Sequence, residues 1–377
     1  MAETASSPCA VTLCIGERGP KPRTSEWSET IVVVPDLDCT KTRADHSFRI
    51  QAAGRVFHFN SVLSQQAAKS KSVFELAVRP GLRTCFDPCS GHSLNQIIIT
   101  LGQCPAQKRA LVEGSSTRGG QGLLWQSVAE AFGTIYKAWR EAVAEIALLE
   151  INPDKVLDLL AQGEPRRASF GTLLRVRSMH DAQETIQWCL SRRARERGSH
   201  AGLTPSHLVV FLRFARDDKP SADSRTLAFV DLADAPLRNS KQATNKFFNQ
   251  SLLALNRVLL AKQQLDHHPA PGHHIPYRDS KLTEALQPCF EERACCVAVV
   301  AGVSREFDEP RPILSVLEFC SKCCLPTGAL TPRGEREVPS NGKFVATGRL
   351  EETSRSINNN FDNEEEEEEE EDGDNDD

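Results

Sequence analysis

Residues 97–101, Ile97-Ile98-Ile99-Thr100-Leu101, form a nearly unbroken apolar run of strand length with polar neighbours. A strand with one wet face alternates apolar and polar side chains. A run like this needs cover on both faces, which means helices packed on each side of a sheet. Residues 295–301 read the same way. Shorter β-rich runs at 11–15, 31–34, 48–50, 56–59, 146–151, 208–214 and 226–231 supply further strands. Helices are expected at 72–79 (ending at Pro80 and Gly81), 122–140, 181–195, 246–262 and 313–323. The clearest is 122–140, where Leu124, Val128, Ala131, Phe132, Ile135 and Trp139 share one face. Strands alternating with helices predict an α/β layered fold with a largely buried sheet.

Charge divides the chain. Residues 351–377 hold fifteen acids, including the run 364–371, against the single base Arg355. The net charge of −6 therefore conceals a body, residues 1–350, carrying +8. After Pro326 large apolar side chains become sparse, so 326–377 is expected to be a disordered acidic tail and 1–9 a flexible start. No apolar run approaches the ~18–20 residues that cross a bilayer. The N-terminus lacks an export pattern, and sustained heptads are absent, which predicts a monomer without a coiled-coil stalk. Thirteen cysteines without an export signal read as reduced thiols. The CxxC at Cys320 and Cys323 has no second pair with zinc-site spacing.

The segment His274-Ile275-Pro276-Tyr277-Arg278-Asp279-Ser280-Lys281-Leu282-Thr283 resembles the HIPYRDSKLT signature of the kinesin motor domain. Other segments follow in that family's order: Phe57-His58-Phe59-Asn60-Ser61-Val62-Leu63, Glu150-Ile151 with Val156 to Leu160, Asn249-Gln250-Ser251-Leu252-Leu253-Ala254-Leu255, and Leu314-Ser315-Val316-Leu317-Glu318-Phe319. The resemblance covers residues 10–325. It implies a central mixed β-sheet sandwiched by helices, a P-loop that binds ATP and Mg, and microtubules as partner. It also implies a cytoplasmic, cytoskeletal location, with neither membrane nor nucleic acid as a partner.

The nucleotide motifs are altered. A P-loop uses glycine amides to wrap phosphates, a Lys for their charge and a hydroxyl for Mg²⁺. Where the family has GQTGSGKT, this chain has Gly102-Gln103-Cys104-Pro105-Ala106-Gln107-Lys108-Arg109. Gly102, Gln103 and Lys108 are kept; Pro105 lacks an N–H, and Arg109 replaces the hydroxyl. Of the first switch only Ser206 and His207 remain in His200-Ala201-Gly202-Leu203-Thr204-Pro205-Ser206-His207. The second, Asp231-Leu232-Ala233-Asp234-Ala235-Pro236, keeps Asp231 but carries Asp234 where the family has a phosphate-sensing glycine. Proline, at 205 and 236, replaces both members of the family's switch ion pair.

The nucleotide-site candidates are thus Gly102, Gln103, Lys108, Arg109, Ser206, His207 and Asp231, with no residue expected to be catalytic. Lys108 reads either as a phosphate contact or as a surface lysine. Arg109, standing where Mg²⁺ would be held, is expected to pair with Asp231 or Asp234. Residues 237–287 carry seven bases against three acids. Within them Lys246, Arg257, Lys262, His274, Arg278 and Lys281 form the candidate microtubule surface, suited to acidic tubulin. Two further features are the tetrad Arg166-Arg167-Ala168-Ser169, which fits a basic-directed kinase, and the run Arg192, Arg193, Arg195, Arg197, which reads as a solvated helix end. Two functions are open: the altered site residues favour a microtubule-binding protein with weak or absent ATPase, and the resemblance alone implies an active ATP-dependent microtubule motor.

Overall fold

The computed structural model describes residues 9–15, 32–35, 48–52, 55–59, 61–64, 73–86, 95–102, 105–115, 120–139, 142–153, 155–161, 171–196, 206–216, 224–234, 242–267, 274–291, 295–303 and 310–323. Gln103, residues 200–205, Pro236, the tetrad 166–169 and the acidic run 364–371 lie outside them.

The strands are β1 (Cys9–Ile15), β2 (Val32–Pro35), β3 (Phe48–Ala52), β4 (Arg55–Phe59), β5 (Ser61–Ser64), β6 (Asn95–Gly102), β7 (Gly114–Ser115), β8 (Gly120–Gln121), β9 (Ala142–Ile151), β10 (Val156–Asp158), β11 (Leu174–Val176), β12 (His207–Arg216), β13 (Arg225–Asp231) and β14 (Cys295–Val303). The helices are α1 (Arg79–Phe86), α2 (Pro105–Val112), α3 (Leu123–Ala138), α4 (Met179–Glu196), α5 (Gln242–His267), α6 (Lys281–Glu291) and α7 (Pro310–Cys323). The main sheet runs β10-β9-β12-β13-β6-β14-β1-β5, with β11 also paired to β9. Pairing is parallel from β13 through β5 and antiparallel between β9, β12 and β13. The expected mixed sheet is therefore present.

Each central strand feeds two cores. Ile97, Ile99, Leu101, Leu149, Phe211 and Val230 point to the side that buries Leu255 of α5, Leu286 of α6 and Leu317 of α7. Ile98, Ile146, Leu148, Val210 and Phe229 point the other way, to Leu82 of α1, Phe132 of α3 and Ile186 of α4. The two-residue period of a strand makes this division, and each large apolar side chain so buried contributes about 1.5–3 kcal/mol.

The helix expected to stop at Pro80 does not stop. A π-helical turn, Phe74–Val78, leads into α1, which runs on to Phe86. Pro80 therefore lies inside a continuous helical run, 73–86, directly after the wide π turn in which Arg79 N donates to Phe74 O. Gly81 continues the helix against the side-chain end of Gln96, whose Oε1 would lie 2.4 Å from an added Cβ. The segment after β6, read from sequence as a loop, is helical from Pro105. Proline suits a first helical position because that N–H has no intrahelical partner.

Candidate nucleotide site

The topology gathers one end of the sheet. β6 ends at Gly102 and its parallel neighbour β13 ends at Asp231. Because β12 runs opposite to β13, its first residues lie beside Asp231, with Leu208 opposite that residue. β9 reverses again, bringing Glu150 opposite Leu208. In open α/β sheets ligands bind beyond the carboxyl ends of such strands. Here the backbones approach closely: a Cβ on Gly102 would lie 2.8 Å from Gly302 O.

Lys108 is at the centre. It is the fourth residue of α2, and its buried face includes Leu111 and Val112, three and four residues on. Its Nζ lies 2.7 Å from Asp234 Oδ1 and 3.2 Å from Asp231 Oδ1, and it donates to Leu232 O. The side chains of Lys108 and Asp234 are 4% and 2% exposed, so water screens their attraction very little. The reading of Lys108 as a surface lysine is thereby corrected.

Arg109 is corrected with it. One helical step of about 100° turns Arg109 away from Lys108's buried face, and Arg109 is exposed. The cation facing Asp231 and Asp234 is the lysine. The residues after β13 are held separately. Leu232 N donates to Thr100 O at 2.9 Å, and Ala233 N to His207 Nδ1 at 2.8 Å. Thr100 Oγ1 lies 3.2 Å from Asp231 Oδ1. Two successive anchors thus carry the chain to Asp234.

His207 is fully buried and stacks on Phe247, with ring centroids 4.6 Å apart. Its Nδ1 accepts from Ala233, so the neutral ring carries its proton on Nε2. Nε2 is buried without a hydrogen-bond partner. Burial first, then the charges of Lys108 and Arg193, push the imidazole pKa down to about 3. Ser206 joins a second buried group. Its Oγ donates to Glu150 Oε1 at 2.5 Å, and Arg193 Nη2 donates to Ser206 O at 2.8 Å. Arg193 Nε lies 3.1 Å from Glu150 Oε1.

The sequence reading missed Glu150 and Arg193. The available signal was a lone acid inside an apolar strand, which requires a partner when buried. The basic run of α4 is correspondingly not a solvated helix end at Arg193. Arg192, half-buried, donates to Leu159 O at 3.2 Å and sits over the Trp188 ring.

The candidate microtubule residues occupy α5, α6 and the turn between them, but they are not equivalent. Lys246, His274, Arg278 and Lys281 are exposed. Arg257 is also exposed and pairs with Asp279 at 3.0 Å. Lys262 Nζ donates to Phe290 O at 3.0 Å and so caps the end of α6. The signature itself has a structural rationale. Ser280 caps α6, its Oγ accepting from Thr283 N at 3.1 Å, while Thr283 Oγ1 donates to Tyr277 O at 2.7 Å. Among the described residues no helix is long and apolar enough to cross a membrane. Nor, among them, do three or more His, Cys, Asp or Glu side chains group to hold a metal.

Comparison with known proteins agrees with this architecture. The kinesin motor domain family model matches residues 20–324. The kinesin-like protein KIN-7N of Arabidopsis thaliana is 24% identical over 314 residues, covering 76% of this chain and 35% of that protein. The kinesin-like protein KIP2 of Eremothecium gossypii is 28% identical over 268 residues, 60% of this chain and 39% of that one. The chain therefore spans little more than a third of the length of these relatives. Among solved structures, the motor domain of the Saccharomyces cerevisiae kinesin-like protein KAR3 matches 84% of this chain and 99% of its own. The TM-score is 0.61 and the identity 20%. Drosophila Kin10/NOD, in complex with divalent manganese and ADP, matches 84% and 97% at TM-score 0.59 and 18% identity. The chain belongs to the kinesin motor-domain family.

Proposed function

We propose that this chain is a microtubule-binding member of the kinesin family whose own side chains close its nucleotide site, leaving ATP hydrolysis weak or absent. The observation that carries the reading is Lys108. The amine that a P-loop offers to the phosphates is committed to Asp234, Asp231 and Leu232 O. MgATP fits poorly on three counts. The lysine is already neutralised. An extra carboxylate, Asp234, stands where a polyanion would have to enter. The hydroxyl for the metal is absent, and its replacement, Arg109, is exposed. The loop is also curtailed, because only residues 103 and 104 separate the end of β6 from the start of α2.

The partner reading rests on the family and on exposed bases. Lys246, Arg278 and Lys281 present positive charge on α5, α6 and the turn before α6, with the exposed imidazole of His274 beside that turn. Tubulin is acidic, so long-range attraction favours this face. The protein is then microtubule-associated in the cytoplasm, its domain spanning residues 10–325 and its acidic tail 326–377. The motor reading keeps some support from Gly102, Ser206, His207 and Asp231, which stand together at one end of the sheet.

The test is co-sedimentation of the full chain with microtubules in MgATP, in MgADP and after removal of nucleotide by apyrase. The expected result is binding with one affinity in all three. Binding that changes several-fold between nucleotide states supports the motor reading, and an absence of pelleting removes the microtubule.

A further inference from the structure

We propose that the Asp234 carboxylate is a tethered anion filling the phosphate position of Lys108, and that beneath it lies a latent polyphosphate site. The inference rests on the closed-site reading above and assigns the closure to one side chain. Lys108 makes its closer carboxylate contact with Asp234, 2.7 Å against 3.2 Å to Asp231. Asp231 has its own partner on the sheet, the Thr100 hydroxyl at 3.2 Å. Asp234 lies three residues past the end of β13, beyond Leu232 and Ala233, whose amides are held by Thr100 O and His207 Nδ1. The backbone is therefore fixed so as to deliver this carboxylate to the lysine.

What surrounds the lysine also suits an oxyanion. Lys108 belongs to the first turn of α2, an eight-residue helix beginning at Pro105. Pro105 has no N–H to offer, so what the start of α2 contributes is its dipole, which favours negative charge near its first turn. Gly102, ending β6, contributes no side chain to the approach. With Asp234 in place, one cation faces two carboxylates, and an incoming polyanion meets net repulsion in a poorly screened site. With Asp234 neutralised, Lys108 and Asp231 balance, and the lysine regains a free direction for a phosphate oxygen. The ligand class is inorganic pyrophosphate or the phosphates of a nucleotide. Arg109 offers no hydroxyl for a metal, so the binding is tested without Mg²⁺.

The experiment titrates inorganic pyrophosphate, in EDTA, into the full chain by calorimetry. Wild type, Asp234→Gly, Asp234→Asn and Lys108→Met/Asp234→Gly are compared, each checked by thermal melting. The wild type is expected to give no saturable heat. Both Asp234 variants should bind at least tenfold more tightly than wild type, and the double variant should lose that binding. Should Asp234→Gly fail to fold, Asp234→Asn, which removes the charge and keeps the bulk, decides the matter. Folded Asp234 variants that bind nothing overturn the tethered-anion inference and leave the closed-site reading standing. Wild type that binds as tightly as the variants overturns both.

Discussion

Replacing Lys108 with methionine removes the ammonium and keeps most of the side chain's bulk. In the native site that ammonium contacts Asp234 at 2.7 Å and Asp231 at 3.2 Å, with side-chain exposures of 2% and 12% for the two acids. The variant leaves two neighbouring carboxylates in a poorly solvated position with no cation between them. It also leaves Leu232 O without its lysine donor. Removing one partner of a buried pair costs about 3–5 kcal/mol, because the survivor is stranded. At about 2–4 °C per kcal/mol for domains approaching this size, Tm should fall by roughly 6–20 °C. Urea denaturation followed by far-ultraviolet circular dichroism measures the loss directly. The double variant Lys108→Met/Asp234→Asn should recover part of it, since one stranded charge is gone. Arg109→Ala is the control and should stay within about 0.5 kcal/mol of wild type, as exposed substitutions do. A Lys108→Met loss below about 1 kcal/mol, or an equal loss from Arg109→Ala, would refute the assignment of the clamp to Lys108.

Three further outcomes are expected. His207 stays neutral when folded because burial depresses its pKa to about 3. Its stabilising contribution is complete above the unfolded value near 6.5 and is lost as pH falls towards 3. Between pH 7 and 5 the wild type should therefore lose about 2 kcal/mol more than His207→Asn in denaturation series, and parallel curves would contradict this. Gly102→Ala places a methyl 2.8 Å from Gly302 O, so β6 and β14 must separate. Urea unfolding should report a loss of about 1–3 kcal/mol, and an unchanged midpoint would mean that the strands yield freely. Reversing Lys246, Arg278 and Lys281 to Glu should weaken microtubule co-sedimentation most at low salt, since exposed charges are screened. The same reversal should leave Tm nearly unchanged, and undiminished pelleting would move the contact elsewhere.

The sheet was legible because its strands are written in unbroken apolar runs. Ile97 to Leu101 could be covered only by helices on both sides, and the structure supplies them. The helix ends were less legible. Pro80 and Gly81 look like a stop, yet a π turn and a contact with Gln96 accommodate both. The site was half legible. The motif order located Gly102, Lys108, Ser206, His207 and Asp231, and the structure brings Lys108, His207 and Asp231 into one connected group through Leu232 and Ala233. Which of two adjacent cations turned inward depended on α2. Read as a loop, residues 105–109 had no facing. Read as a helix, the buried pair Leu111 and Val112 commits Lys108 to the same side. Glu150 and Arg193 were hidden for a different reason. Their partnership spans 43 residues and exists only after β9, α4 and β12 have packed. Likewise Lys262, counted among the surface bases, is engaged by Phe290 O, which sequence spacing alone does not reveal.

The most direct test of the central claim is phosphate release by the full wild-type chain with MgATP and saturating microtubules. A site whose lysine is already neutralised, with no metal hydroxyl and an added carboxylate, predicts release at the background rate with or without microtubules. Microtubule-stimulated turnover at about 1 s⁻¹ or more, within the ordinary enzyme range, would contradict it.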